Sequence, residues 1–189
     1  MPVEKIGFGG GCHWCTEGVF QALRGVVSVD QGFVRSEAPS DAWAEGVIVT
    51  FDPRVIGLAT LAEVHLRTHS ANGTYSPGGR YRSAIYIFDA SQRDEAARTV
   101  ARYARETDEP ARTRVCPFVG FKPSDARYQD YYRTDPNRPF CQRYIDPKLD
   151  YIRKNFADIM LPDARGHHVE QRGSSTAASP VPPEGTGGS

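Results

Sequence analysis

The amino-acid sequence predicts an α+β plait, in which helices pack on a mixed β-sheet. Apolar runs of strand length alternate with segments of helical periodicity along residues 3–156, and some neighbouring strands lie close together in the sequence. Closely spaced strands pair as antiparallel neighbours more readily than as the parallel strands of a doubly wound sheet. The sheet should therefore be mixed.

The first half of the chain predicts three strands and two helices. The strands are apolar or alternate with period two, and the helices carry apolar residues on one face. The predicted strands are residues 3–8, 26–33 and 46–51, and the predicted helices are residues 12–23 and 58–68. Gly25 should end the first helix, and Asp52 with Pro53 should end the third strand.

The second half predicts further elements of the same kinds. A turn-rich loop is expected over 71–79, strands over 83–88 and 114–118, and helices over 126–132 and 149–156. Another helix should begin at a Ser91 cap and run to about Arg105, because serine is a preferred N-cap residue.

Composition divides the chain into a body and a tail. Residues 162–189 hold 15 Gly, Pro, Ser or Thr and no aromatic residue. Such a segment buries too little apolar surface to offset its ordering entropy. We therefore expect one domain over 1–161, able to bury roughly 70% of its unfolded surface, and a disordered tail over 162–189.

The charge balance excludes some classes of protein. Lys plus Arg and Asp plus Glu number 23 each, whereas non-specific nucleic-acid binders have a basic surplus. No apolar run reaches membrane-spanning length, and the N-terminus lacks the pattern of a secretory signal. We expect a cytoplasmic monomer that binds neither nucleic acid nor membrane. In a reducing compartment its four cysteines suggest thiols, a metal site or redox chemistry.

A glycine loop followed by a cysteine is the most informative segment. Gly9, Gly10 and Gly11 follow the first strand, and Cys12 stands where the first helix begins. Glycines allow a tight turn and close ligand approach, and a helix N-terminus favours a thiolate. Cys12 should therefore have a lowered pKa and be reactive. The alternative is a buried cysteine beside a glycine turn.

Other cysteine chemistries fit less well. A zinc site would need Cys12, Cys15 and two of Cys116, Cys141, His167 or His168, and no second closely spaced Cys pair exists. Haem attachment needs a histidine where Thr16 stands. We expect no metal and no resident cofactor. Cys116 should be a core strand residue.

Two carboxylates could assist a nucleophilic cysteine. Glu17 follows Cys12 by slightly more than one helical turn and is expected to be a surface or first-turn carboxylate. Glu45 lies just before the buried strand GVIVTF. A carboxyl group there could have a raised pKa and donate a proton.

Several motifs, in this order, resemble those of the type A peptide-methionine sulfoxide reductases. They are GGCHW at 10–14, AEGVIVTFDP at 44–53, YRSAIY at 81–86, YQDYY at 128–132, and Cys141 followed by IDPKL at 145–149. The resemblance covers about residues 3–155. It implies that family's ferredoxin-like plait with a long C-terminal coil, and reduction of the S-epimer of methionine sulfoxide, free or in peptides.

The resemblance implies a thiol mechanism. Cys12 matches the nucleophile, and Glu45 matches the acid, kept protonated by burial, that protonates the sulfoxide oxygen. Cys12 would become a sulfenic acid and then a disulfide with a second thiol. Cys141 matches a recycling cysteine, whereas Cys15 could form a CxxC disulfide with Cys12. An external dithiol such as thioredoxin would reduce the disulfide.

The resemblance also implies a substrate pocket. Trp14 matches the tryptophan that receives the substrate methyl group, and His13 adjoins it in the pocket wall. Tyr81 matches a tyrosine that hydrogen-bonds near the sulfoxide oxygen, and Tyr131 matches another pocket tyrosine.

The chain departs from the usual family pattern at several positions. His13 replaces a phenylalanine, Cys15 a glycine, Ser76 an aspartate and Tyr128 a histidine, and a shorter loop before Glu45 omits a tyrosine. These departures indicate a divergent member. They leave three alternatives open: reduction of another small sulfoxide, a CxxC thiol–disulfide oxidoreductase, and a catalytically impaired redox sensor.

Overall fold

The computed structural model describes residues 2–69 and 76–162. The strands are β1 Glu4–Gly9, β2 Val26–Arg35, β3 Ala44–Phe51, β4 Ala84–Ile87, β5 Arg114–Pro117 and β6 Gly120–Pro123. The helices are α1 His13–Gln21, α2 Leu58–Thr68, α3 Ala90–Thr107, α4 Tyr131–Thr134 and α5 Asp146–Asn155. Short 3-10 turns cover Ala126–Tyr128 and Ala157–Ile159, and a π-helical turn covers Cys141–Ile145.

The six strands form one mixed sheet in the order β5-β4-β1-β3-β2-β6. Only the β4–β5 pair is parallel among the described strands; the other neighbours are antiparallel. The predicted α+β plait with a mixed sheet is therefore confirmed. The predicted tail, apart from Pro162, and most of the 71–79 loop lie outside the described residues.

The two faces of the sheet bury different cores. The larger core lies between the sheet and the helices and includes Phe8, Phe20, Val49, Leu61 and Ile152. The other face holds a smaller cluster, formed by Val34, Ile48, Ala84, Tyr86 and Cys116. Cys116 is thus the buried strand residue that the sequence predicts.

Small residues cross four neighbouring strands at one level. Gly9 of β1 lies opposite both Ala84 of β4 and Gly46 of β3, and Gly46 lies opposite Gly32 of β2. A Cβ atom on Gly9 would lie 3.0 Å from the carbonyl oxygen of Arg82. Glycine is therefore needed where a chain segment crosses close to the sheet.

Arg82 attaches that segment to the sheet. Its buried guanidinium, in a residue only 2% exposed, donates to the carbonyl oxygens of Val34, Ala42 and Pro77 and to the Tyr86 hydroxyl. One cation thus joins three segments through neutral acceptors. A buried charge requires such partners, and they fix the position of the neighbouring residues 80 and 81.

Two predicted elements, the start of α3 and the 126–132 helix, differ from the structure. Asp89, not Ser91, caps α3, because its carboxylate accepts the N–H groups of Ser91 and Gln92. The predicted 126–132 helix is broken at Gln129 and Asp130. The Gln129 side chain hydrogen-bonds the backbone of Gln31 instead, and Asp130 adopts φ 53°.

Strand β6 was not predicted, and the last helix starts early. β6 reads GFKP, and its glycine and proline hide any alternation. α5 begins at Asp146 rather than at 149, directly after the π-helical turn.

Gly32→Ala should destabilise the fold, because its Cβ would overlap the carbonyl oxygen of Lys122 across the β2–β6 pair. Overpacking of this kind costs about 1–3 kcal/mol, and urea unfolding would measure the loss. Gly57→Ala is the matched control, since a Cβ there meets nothing within 4 Å. The stability that alanine loses at this N-cap position nearly equals the stability that it gains by restricting the unfolded chain. Equal unfolding midpoints for the two variants would contradict the prediction.

Candidate active site

The glycine loop places Cys12 at the start of α1. Gly10 and Gly11 have φ values of 136° and 70°, conformations that residues with a Cβ rarely adopt. A Cβ on Gly10 would also lie 2.6 Å from the His69 ring. Cys12 is the N-cap residue of α1, so its thiol faces the unpaired N–H groups of the first turn.

The Cys12 thiol is set up to ionise. A hydrogen bond from the Cys15 thiol is the largest influence lowering its pKa, and the backbone N–H groups of Trp14 and Cys15 lower it further. Partial burial and the nearby Glu45 charge oppose this effect. The lowered pKa of Cys12 agrees with the prediction in direction, and its reactivity stays a prediction. The leading cause of the shift, Cys15, is predicted from the sequence only as a disulfide partner.

Glu45, at the second position of β3, lies buried near Cys12. Its residue is 4% exposed, and the His13 backbone N–H donates to Oε2 at 3.2 Å. The Arg80 guanidinium donates to Oε1 at 2.7 Å. The sequence predicts burial as the influence on this carboxyl group. The structure adds a second influence, the cation of Arg80 that pairs with it. Arg80 was missed, although it immediately precedes the predicted pocket residue Tyr81.

The His13 ring does not line an open pocket as predicted. It is 6% exposed and points at the sheet, where Nδ1 lies 2.8 Å from the Gly32 carbonyl oxygen. Its Nε2 lies 3.7 Å from Glu45 Oε2. The edge of Phe33 closes the other side at a centroid distance of 5.5 Å. His13 thus belongs to the acid's surroundings.

Trp14 and Tyr131 form an aromatic wall on the other side of Cys12. Their rings stack at 4.2 Å with an interplanar angle of 3°. Phe140 meets both edge-on at 5.5 and 5.8 Å, and Tyr128 flanks Trp14 at 5.8 Å. The Trp14 Nε1 is buried and has no hydrogen-bond partner within the described part of the chain. The structure thus groups Trp14 and Tyr131 as the sequence predicts.

Glu17 holds this wall in place. It is 1% exposed, and its carboxylate accepts the backbone N–H groups of Asp130 and Tyr131 at 2.8 and 3.0 Å. The prediction of a surface or first-turn carboxylate is therefore wrong. Burial raises the pKa of Glu17, opposed by these two hydrogen bonds. Glu17 positions Tyr131 against Trp14.

Tyr81 stands apart from the buried groups. It is 57% exposed, and its ring lies 5.7 Å from the Arg80 guanidinium carbon. The structure therefore places Tyr81 at the mouth of the site, next to the cation that binds Glu45.

A cavity of about 210 Å³ borders the Cys12 and Cys15 thiols. Cys12, Cys15 and Lys148 line it together with His65 and His69, among other residues. Lys148 donates to the carbonyl oxygen of Thr68, and burial lowers its pKa against the pull of the two thiols. Lys148 was missed, although it lies within the IDPKL motif.

The four cysteines occupy different environments, and all are thiols. Cys15 is 8% exposed, and its hydrogen bond to Cys12 is the largest influence raising its pKa. Cys141 is fully buried in the larger core, where it donates to the Asp135 carbonyl oxygen at 3.6 Å. Burial raises the pKa of Cys141 to about 11.

No metal-binding cluster is found within residues 2–69 and 76–162, and no helix there is long and apolar enough to span a membrane. His167 and His168 lie outside this part of the chain.

The described site offers a thiolate, a buried carboxyl group, a second thiol and an aromatic wall. Such a set suits attack by sulfur on a polarised centre, with a proton donor at hand.

Comparison with known proteins finds one family over most of the chain. A family profile described as peptide methionine sulfoxide reductase matches residues 4–160. The peptide methionine sulfoxide reductase MsrA of Sulfolobus acidocaldarius is 33% identical over 170 residues, 82% of this chain and 97% of that protein.

Solved structures show the same fold. Mxr1 from Saccharomyces cerevisiae in its reduced form aligns with TM-score 0.64 and 20% identity, covering 75% of this chain and 91% of that one. Mxr1 in complex with Trx2 aligns with TM-score 0.50 and 21% identity over 68% and 84% of the two chains.

Cys15→Ala should raise the pKa of Cys12, because it removes the hydrogen bond that lowers that pKa most. Iodoacetamide alkylation of Cys12, followed against pH by mass spectrometry, should show its midpoint moving upward. Cys116→Ala is the control, since that thiol lies on the far face of the sheet. An unchanged midpoint in Cys15→Ala would show that the helix N–H groups alone set the ionisation of Cys12.

Proposed function

The chain belongs to the peptide methionine sulfoxide reductase family and reduces methionine sulfoxide with thiols; we propose that Cys12 is the nucleophile of this reaction. The observation that carries the proposal is the setting of the Cys12 thiol. It stands at a helix N-terminus with a lowered pKa, one residue before an N–H group that binds the buried Glu45. Thiolate and acid therefore face the same small space.

The first step transfers oxygen from substrate to enzyme. The Cys12 thiolate attacks the sulfoxide sulfur while Glu45 delivers a proton to the oxygen. The thioether leaves with two electrons, and the oxygen stays on Cys12 as a sulfenic acid. We assign the S-epimer as substrate on the family resemblance.

The aromatic wall is the proposed seat of the substrate methyl group. Tyr131 covers one face of the Trp14 indole, and Phe140 and Tyr128 adjoin it. Trp14 remains partly exposed, and the methyl group would contact this exposed part. Apolar surface of this kind selects a thioether over a charged side chain. Tyr81, at the mouth, would contact the substrate as it enters.

Cys15 is the proposed resolving thiol. It follows Cys12 by three residues, and a hydrogen bond between the two thiols is the largest influence on the pKa of each. Cys141, the alternative, is fully buried and bound to Asp135. Condensation of the Cys15 thiol with the sulfenic acid releases water and forms a Cys12–Cys15 disulfide.

An external thioredoxin-like dithiol is the proposed reductant. The disulfide must be returned to two thiols, and a dithiol does this by thiol–disulfide exchange. The structure of yeast Mxr1 in complex with Trx2 supports such a partner. The expectations of a cytoplasmic monomer that binds neither nucleic acid nor membrane stay predictions.

A second activity is favoured by one observation. The hydrogen-bonded Cys12–Cys15 pair is the dithiol that a CxxC thiol–disulfide oxidoreductase requires. Reduction of insulin disulfides would reveal it. Binding of a sulfoxide without turnover would instead indicate a redox sensor, and turnover of other sulfoxides alone would redefine the substrate.

A single-turnover experiment tests the nucleophile and the resolver together. Pre-reduced protein is mixed with each epimer of a blocked methionine sulfoxide, without reductant, and the disulfide is mapped by mass spectrometry. The S-epimer should yield methionine and a Cys12–Cys15 bond. Cys12→Ser should yield neither, and Cys141→Ala should yield both. A Cys12–Cys141 bond would overturn the choice of Cys15, and turnover by Cys12→Ser would overturn the proposal.

Glu45→Gln should slow formation of the Cys12 sulfenic acid by about 10²-fold or more, because a neutral amide cannot supply the proton. Alkylation of Cys12 in the same variant should be as fast or faster, since the charge that opposes ionisation of Cys12 is gone. Rapid-quench trapping with dimedone would measure the first rate. Unchanged sulfenic-acid formation would remove Glu45 from the reaction.

A further inference from the structure

The hydrogen bonds of His13 fix where its ring can carry a proton. Nδ1 lies 2.8 Å from the Gly32 carbonyl oxygen. A carbonyl oxygen only accepts, so Nδ1 must be the donor and carry a hydrogen. In the neutral ring Nε2 is then a bare acceptor. That nitrogen lies 3.7 Å from Glu45 Oε2.

A bare Nε2 facing an ionised carboxylate would place two acceptors opposite each other. Both residues are largely buried, His13 at 6% and Glu45 at 4% exposure, so water screens the repulsion between the two facing lone pairs only weakly. One proton between them removes the conflict, either on Nε2 as an imidazolium or on Oε2 as a carboxylic acid.

We propose that His13 and Glu45 hold one proton between them, and that this is the proton which the sulfoxide oxygen receives. The inference rests on the proposed roles of Cys12 and Glu45 and adds the source of the proton. His13 acts through Glu45 and does not touch the reacting atoms, so it is a positioning residue.

Because Arg80 pairs with Glu45, this chain needs a second group that can hold the proton beside Glu45. The Arg80 guanidinium lies 2.7 Å from Glu45 Oε1, and a guanidinium favours the ionised form of a carboxyl group beside it. An ionised Glu45 has no proton to donate. His13, on the opposite oxygen, can store that proton and return it when charge develops on the sulfoxide oxygen. The phenylalanine that usually occupies this position could not.

The proton count closes over one catalytic cycle. The Cys12 thiolate, the sulfoxide and one proton give the sulfenic acid and the thioether. The S–O bond passes from the substrate sulfur to Cys12, and two electrons pass the other way. Condensation with Cys15 releases water without net proton change. When an external dithiol restores the two thiols, ionisation of Cys12 returns one proton to the His13–Glu45 pair.

Other charged groups near the pair also shape the pH dependence. Arg80 binds Glu45, and the Cys12 thiolate interacts with both. From the β2 side, the ring of Phe33 separates His13 from the Lys122 ammonium, which lies 5.9 Å from that ring. Loss of the thiolate should slow the wild type at low pH, and loss of the shared proton should slow it at high pH.

The test is the rate of sulfenic-acid formation between about pH 5 and about pH 9, in the full chain with methionine-(S)-sulfoxide. His13→Phe should lose at least about tenfold at the alkaline end and much less at the acid end, so its alkaline limb moves to lower pH. His13→Gln, which keeps hydrogen-bonding groups but does not titrate in this range, should behave in the same way.

Arg80→Gln provides the rescue. Added to His13→Phe, it removes the cation that keeps Glu45 ionised and should move the alkaline limb back upward. The pH midpoint of Cys12 alkylation is measured in parallel. It should be the same with and without His13→Phe, both in the chain with Arg80 and in the chain with Arg80→Gln. An unchanged midpoint shows that the variant's defect lies in proton supply and not in folding or in ionisation of Cys12.

The outcomes distinguish this inference from the proposed function. An alkaline limb that is unchanged in His13→Phe, or a loss that is equal at every pH, would overturn the role of His13 while leaving Cys12 and Glu45 in place. Failure of the wild type to form a Cys12 sulfenic acid would instead overturn the proposed function.

Discussion

The antiparallel register of β1, β3 and β2 is the constraint on which the site depends. Gly9, Gly46 and Gly32 lie opposite one another across these strands. Cys12 follows the first of them, Glu45 precedes the second, and the third supplies the carbonyl oxygen bound by His13. A slip of one residue would turn every side chain of a strand to the other face. The proposed nucleophile Cys12, acid Glu45 and proton store His13 are thus brought together by backbone pairing.

Compensation of charge is the second theme of the site. Cys12 as a thiolate and Glu45 as a carboxylate would be two anions in a largely buried space. Separate donors stabilise each negative charge. Helix N–H groups and the Cys15 thiol stabilise the Cys12 thiolate, and Arg80 stabilises the Glu45 carboxylate. The two groups stay coupled, because the Glu45 charge raises the pKa of Cys12. The same donors also hold the loop between β1 and α1 and the segment before β4 in place.

The sequence predicted elements whose pattern is local and missed those decided by distant contacts. α2 begins and ends where its periodicity predicts, and the lowered pKa of Cys12 is predicted from a glycine loop before a helix. The buried position of Glu17 was not predicted, because the N–H groups that donate to its carboxylate lie more than a hundred residues away in the sequence. Arg80 was missed because an arginine beside a tyrosine carries no signal of an ion pair. Gln129 interrupts the predicted helix because its side-chain amide donates a hydrogen bond to the backbone carbonyl oxygen of Gln31 in the sheet.

The position of Cys15, one helical turn after Cys12, also bears on how strongly oxidation would stabilise the fold. A disulfide restricts the unfolded chain more when it closes a longer loop, roughly with the logarithm of the loop length. A bond between residues 12 and 15 closes a loop of four residues and would contribute about 2 kcal/mol, whereas a bond to Cys141 closes about 130 residues and would contribute about 5 kcal/mol. A difference of about 2 kcal/mol already changes the ratio of folded to unfolded protein by about 30-fold. An enzyme that cycles through the shorter loop therefore changes its resistance to unfolding and proteolysis with each turnover, but much less than one that cycles through the longer loop.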